Sequence, residues 1–362
     1  MMLHQEPVQF RNEREVIQLA GRQAINSFLE SQTCFSVLRA SAKVVVFDIR
    51  IPIQLAFYAL VEHDMPASPL WDPALCQFVG ILTVTDFINL LCHAFHDTQT
   101  SITAVASRSI AEVLNDPKMP KPAPFLAADT TTTLQHASRL LHQNGMDFLP
   151  IVFQEDMRVL ATITYTTLLE HLVTHFREQR RLFDDNLMDL HIGTYDDDVI
   201  SIQPQDTLAH ALKLMNEHNL SALPVVVTSE NNAQAYSNNS TSTPFPNSQS
   251  KNRYLVGVYS RSDITFLATA QDASDAVDRL RWTVGEVLAL ANAATPADVT
   301  TTTPDALHVC RTDSTLQSAF EYFAHCKFHR LYLVDHVEDQ PHPILRGVVS
   351  ARDLVAYFLD EE

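Results

Sequence analysis

The chain has 362 residues, 46% of them hydrophobic, which allows two ordinary domains or several small repeats around a sizeable core and excludes wholesale disorder. A formal net charge of -18 excludes a general nucleic-acid binder, which needs a basic face, though a few local cations could still hold a small anion. Five scattered cysteines without a C-x-x-C pair give no disulfide framework and no structural zinc pattern, and seven glycines, none in a phosphate-cradling motif, remove the support for Rossmann and P-loop readings.

Residues 1–24 are polar and mixed in charge, unlike a signal peptide, and read as an N-terminal tail. Four amphipathic helices follow in the remainder: IQLAFYALVEHDM from 53, LQHASRLLHQNGM from 134, LAHALKLMNEHNL from 208 and LQSAFEYFAHCKF from 316. Capping residues precede three of them, in TTTL from 131, DTL from 206 and DSTL from 313. Each helix has Ala at its fourth position: Ala56, Ala137, Ala211 and Ala319. Thirteen residues beyond these stand Pro69, Pro150, Pro224 and Tyr332, each in an apolar β-type run. A fixed helix-to-strand offset in four places marks an internal repeat.

A second strand and helix close each unit, over 80–91, 161–172, 257–268 and 347–358. Three of these carry Gly, then Ser or Thr, then Asp at one spacing: Gly80/Thr83/Asp86, Gly257/Ser260/Asp263 and Gly347/Ser350/Asp353. The second unit departs, with Ala161, Thr164 and Thr167. The unit is β-α-β-β-α, an α/β repeat occurring four times over 36–97, 119–176, 190–272 and 281–361. Residues 230–251 are a low-complexity insertion between the strands of repeat three, expected to be a long disordered surface loop. No apolar run reaches about 18 residues, so no membrane span is expected. The expected location is the cytoplasm, with the nucleus as a second compartment.

A Ser or Thr and an Asp at a strand-to-helix junction can simply cap the helix. They can also serve a nucleotide, since a carboxylate fits the two hydroxyls of a ribose, and free N–H groups face the junction. Phosphate then needs cations from elsewhere. The two residues at offsets ten and eleven from each Ala, just before the first strand, are Pro66-Ala67, Asp147-Phe148, Ser221-Ala222 and His329-Arg330. Only repeat four supplies cations there. His329 and Arg330 could be a surface ion-pairing couple; beside the recurring Asp they point to phosphate.

The four units resemble cystathionine-β-synthase (CBS) repeats, which pair into two Bateman modules. More narrowly, KVVVFD (43–48), SPLWD (68–72), FVGILTVTDFINLL (78–91), IGTY (192–195), SALPVV (221–226), VGEVL (284–288) and FHRLYLVD (328–335) resemble the γ regulatory subunit of AMP-activated protein kinase. The resemblance covers roughly residues 25 to 360. It implies a flat disk with nucleotide sites near its centre, no catalytic activity and no metal. The implied ligands are AMP, ADP and ATP in competition, and the implied partners are a catalytic α and a scaffold β subunit. The site of repeat four would use Asp353, Ser350 and Arg352, with Thr194, Ser221 and His329 towards phosphate. The Asp263 site keeps Ser260, Arg261 and Arg330, and the Asp86 site keeps Thr83. Animal members carry a His-Arg pair at Asp147-Phe148, an Arg at Pro66 and a Lys at Thr166. Losing charged hydrogen bonds worth about 1.5–3 kcal/mol each implies a weak or empty Asp86 site and one strong site at Asp353, with the Asp263 site, short of shared cations, left open as a second.

Three other readings stay open. The chain could be a γ-type scaffold with little nucleotide control, or a stand-alone module for another adenosyl compound such as S-adenosylmethionine. An enzyme using His329 near Asp353 is the third, but no nucleophile motif or metal spacing accompanies it.

Overall fold

The four expected helices form over Ile53–Glu62, Leu134–Gln143, Leu208–Glu217 and Leu316–His325. The computed structural model describes residues 13–38, 44–63, 65, 67–96, 102–118, 121, 123–176, 183–228, 252–264, 273–294, 307–326, 329–336 and 342–359. Thr133, Thr207 and Thr315 cap three of these helices, each hydroxyl accepting from the N–H three residues on. The repeated Ala56, Ala137, Ala211 and Ala319 are all buried, 0–1% exposed, where a larger side chain would hold the helix off its sheet.

Each helix runs into a strand: Ala67–Asp72, Phe148–Phe153, Ala222–Thr228 and Arg330–Asp335. An antiparallel partner follows, over Gln77–Thr83, Arg158–Thr164, Arg253–Ser260 and Ile344–Ser350. The register repeats too. Pro69 faces Ile81, Pro150 faces Thr162, Pro224 faces Val258 and Tyr332 faces Val348. Every pair is interrupted by an irregularity at the same place, after Leu70, Ile151, Val225 and Leu333. The three recurring glycines sit opposite this point or beside it, where space is short. A Cβ on Gly347 would lie 2.7 Å from the Tyr195 ring and 3.0 Å from the Thr194 carbonyl.

Strands join repeats three and four in one sheet, with Ile344 facing Tyr254 and Thr194–Tyr195 laid along Gly347 and Val348. Repeats one and two meet through an Ile81–Ala123 bridge and the stacked rings of Phe78 and Phe125. Helix faces make the other joins. One buried core unites repeats one and three through Ile53, Phe57, Leu208 and Leu212, and another unites two and four through Leu134, Leu169, Phe320 and Phe358. Repeats three and four thus share a sheet, repeats one and two touch through a bridge and stacked rings, and helix faces join one to three and two to four.

Residues 13–31 hold a feature the sequence reading passed over, a helix over Glu13–Ser31. Its Ile25 and Leu29 are buried in the core of repeats two and four, worth about 1.5–3 kcal/mol each by burial. Asn26 also donates to the Phe358 carbonyl. The expected 230–251 loop, the rest of the expected helix after Ile264, and residues Pro66 and Phe328 lie outside the described residues.

Candidate functional site

Where each second strand turns into its helix, one small motif recurs. Thr83 donates to Asp86 Oδ2 through its N–H at 2.7 Å and its hydroxyl at 2.7 Å. Ser260 does the same to Asp263 Oδ2 at 2.6 and 2.8 Å. The Ser350 N–H reaches Asp353 Oδ2 at 2.8 Å, and the Ser350 hydroxyl accepts from the Asp353 N–H at 3.2 Å. The capping role is thus filled in all three, through one oxygen of each carboxylate. Repeat two keeps the turn without charge: Thr164 Oγ1 lies 2.7 Å from Thr167 Oγ1 and 2.9 Å from Thr166 Oγ1.

These junctions are half-buried, so charge is costly there. Burial pushes the Asp86 carboxyl above the usual carboxylate range, against the Thr83 hydrogen bonds and the positive charge of Arg261. Burial likewise raises Asp263, opposed by the Ser260 bonds and by Arg330. Each carboxylate thus answers to a cation from another repeat.

Arg261 shows how closely the four junctions meet. It follows Ser260 in repeat three, and its N–H is fixed to the Ser221 carbonyl at 2.9 Å. Its guanidinium feels Asp147 of repeat two, Arg330 of repeat four and Asp86 of repeat one, while burial works against its charge. Asp147 accepts from Arg261 Nη1 at 3.0 Å. The sequence reading placed Arg261 with Asp263; in the structure its carboxylate neighbours are Asp147 and Asp86.

Arg330 opens the first strand of repeat four. Its Nη2 donates to the Ser221 hydroxyl at 2.6 Å, and its charge acts on Asp263. His329, one residue earlier, holds the turn of its own repeat by accepting from the Ala351 N–H at 3.1 Å. His308 joins them. Burial, then Arg330, then His329 keep its imidazole below the usual histidine range. Arg330 therefore acts on both the Asp263 junction and the His308 imidazole, which it helps keep neutral.

Thr194 reaches the repeat-four junction by strand pairing, since it faces Val348, two residues before Ser350. Gly193 permits this approach at φ 108°, where a Cβ would lie 2.5 Å from the Val348 carbonyl oxygen. Arg352 points the other way, towards repeat two. A Cβ on Gly145 would lie 3.9 Å from its Nη2 and 3.9 Å from Asn219 Nδ2. Beside it stands Tyr165, 5% exposed, whose hydroxyl is buried without a hydrogen-bond partner. Burial pushes that hydroxyl up to about 12, with Arg352 opposing and Asp147 and Asp353 adding to the shift.

His308 and Tyr165 escaped the sequence reading. Tyr165 had a legible signal: it occupies the position after the junction Ser or Thr, where the other repeats hold Val84, Arg261 and Ala351. His308 had none, because it lies outside every repeated motif. Among the described residues, no group of His, Cys, Asp and Glu is placed to hold a metal ion, and no helix is long and apolar enough to cross a membrane. A surface groove of about 740 Å³ beside Trp282 and Leu290 contains none of the site residues.

This chain matches the CBS domain model over residues 118–174 and 192–234. Its likeness to γ subunits of the AMP-activated protein kinase runs along nearly the whole chain. The γ subunit of Dictyostelium discoideum is 24% identical over 94% of this chain and 54% of that protein. The human γ-3 subunit is 27% identical over 92% of this chain and 60% of its own length. The chain thus spans little more than half the length of these relatives. A solved protein of Methanocaldococcus jannaschii, described as a candidate archaeal homologue of that γ subunit, shares the fold at a TM-score of 0.64 and 16% identity, over 90% of this chain and 99% of that one.

Proposed function

We propose that this chain is a non-catalytic regulatory γ-type subunit that senses adenine nucleotides. AMP, ADP and ATP compete for its sites, and it works in a cytoplasmic assembly with a catalytic α kinase subunit and a scaffold β subunit. The observation that carries this reading is the recurring Ser/Thr-x-x-Asp junction set beside cations of a neighbouring repeat. An Asp carboxylate has one oxygen in the turn and a second available to a ribose diol. His329, Arg330 and Arg352 supply charge for phosphate, and Thr194 and Ser221 add polar contacts. A ligand that spans two repeats favours one arrangement of them over another, which is what regulation requires.

The scaffold reading draws support from one observation, the uncharged Thr164–Thr167 turn of repeat two. Calorimetry with AMP, ADP, ATP and S-adenosylmethionine separates the readings. Mutually exclusive binding of the three nucleotides supports the sensor. Binding of S-adenosylmethionine alone supports a module for another adenosyl compound, and no binding of any supports the scaffold.

A further inference from the structure

Arg261 and Asp147 pair a largely enclosed cation with an anion on the rim. A buried guanidinium needs a counter-anion, because leaving it unpaired costs several kcal/mol. The Arg261 side chain is 19% exposed, whereas that of Asp147 is 55% exposed. The arginine is therefore fixed in the interior and the aspartate reaches it from the rim. Arg330 adds positive charge to the same spot and Asp86 only partly offsets it.

The position of Asp147 in its repeat is informative. It stands immediately before the strand that starts at Phe148, as Ser221 stands before Ala222 and His329 before Arg330. Gly145, at φ 62°, ends the preceding helix in a left-handed turn and fixes where the chain enters. Equivalent sites thus carry a hydroxyl, an imidazole and, in repeat two alone, a carboxylate. That carboxylate ends on a guanidinium that also acts on the Asp86 junction.

We propose that Asp147 is a tethered anion occupying a phosphate position on Arg261. Asp86 and Arg261 then form a latent nucleotide position, ribose on the carboxylate and phosphate on the guanidinium, which fills only when Asp147 swings out. A tethered group competes at an effective concentration in the millimolar range, so it holds back a free nucleotide present at less than that. Its exposure lets it leave without disturbing the core. This inference rests on the nucleotide-sensing reading, and its test separates the two.

The test is calorimetric titration of the whole chain with ADP, on wild type, Asp147→Asn, Asp147→Ser and the Asp147→Asn/Arg261→Ala double variant, with thermal unfolding as the check on folding. The expected result is one more equivalent of ADP in both single variants, or a weak second phase tightened by about tenfold or more. The double variant loses that gain. Asp147→Ser carries the side chain repeat three already uses, so it stands in if the Asn variant fails to fold. Identical binding in wild type and folded single variants overturns the inference and leaves the sensor reading standing. Binding confined to the Asp147 variants upholds the inference and removes the sensor reading for wild type. No ADP binding in any of them overturns both.

Discussion

Arg330 donates a 2.6 Å hydrogen bond to the Ser221 hydroxyl, tying the strand entrance of repeat four to that of repeat three. The same guanidinium acts on the Asp263 carboxyl and on His308. One side chain thus links a hydroxyl, a carboxylate and an imidazole drawn from two repeats. Removing it takes away both the link and the charge. Arg330→Ala is expected to weaken AMP binding about tenfold to a hundredfold, the worth of one or two charged hydrogen bonds. Arg330→Lys recovers part of the loss but not the fork geometry. Affinities for AMP by equilibrium dialysis check this; equal affinity in Arg330→Ala contradicts it.

Asp86 offers a test in the opposite direction. Its carboxyl is raised by burial, so the folded chain holds that proton more tightly than the unfolded one. The favourable contribution is complete below the ordinary aspartate value of about 3.9 and is lost as pH rises through the folded value. Ionised Asp86 therefore costs stability at neutral pH. Asp86→Asn keeps an oxygen for Thr83, and Arg261 keeps Asp147. The variant is expected to be more stable than wild type at pH 7, by on the order of 1 kcal/mol, with the gap closing near pH 4. Urea unfolding at the two pH values measures it, and a less stable variant at pH 7 refutes it.

His171 is a base in the converse position. It lies 8% exposed against Phe28 of the N-terminal helix, with Nε2 unpartnered. Burial and then the charge of His175 lower its pKa. The folded chain therefore disfavours the imidazolium. Its contribution is complete above the ordinary value of about 6.5 and is lost as pH falls towards the folded value. Wild type should lose stability between pH 7.5 and 5, and His171→Leu should lose less. Melting temperatures across that range decide it; parallel curves would rule the effect out.

Gly193 combines a left-handed φ of 108° with a 2.5 Å approach of its would-be Cβ to the Val348 carbonyl oxygen. Neither strain nor clash can relax without moving Thr194 off its partner strand. Gly193→Ala is expected to cost about 2–3 kcal/mol. The strain would be visible as a lower urea midpoint at unchanged slope. A midpoint equal to that of wild type would mean the loop adapts.

Much of this fold is legible in the sequence because each repeat is local. The helix start at Thr207, the buried Ala211 and the strand at Pro224 all fall within one short segment with its own periodicity. The Ser260–Asp263 turn is equally local. What is hidden depends on distance along the chain. Nothing in the segments around Leu212 and Phe57 says that they share a core, because helix faces of similar apolarity could pair in other ways. The helix Glu13–Ser31 is hidden for another reason: its buried face is narrow, with Ile25 and Leu29 set among polar residues. The family resemblance assigns Arg261 to the Asp263 site, and its long side chain carries its charge to Asp147 and Asp86. The charges it meets, Asp147, Arg330 and Asp86, come from three other repeats.

In the proposed sensor an adenine nucleotide binds with its ribose on Asp353. Calorimetric titration of AMP into wild type and Asp353→Ala tests it most directly. Wild type is expected to take up one strong equivalent, weakened about tenfold to a hundredfold in the variant while the chain stays folded. Undiminished tight binding in Asp353→Ala would contradict it.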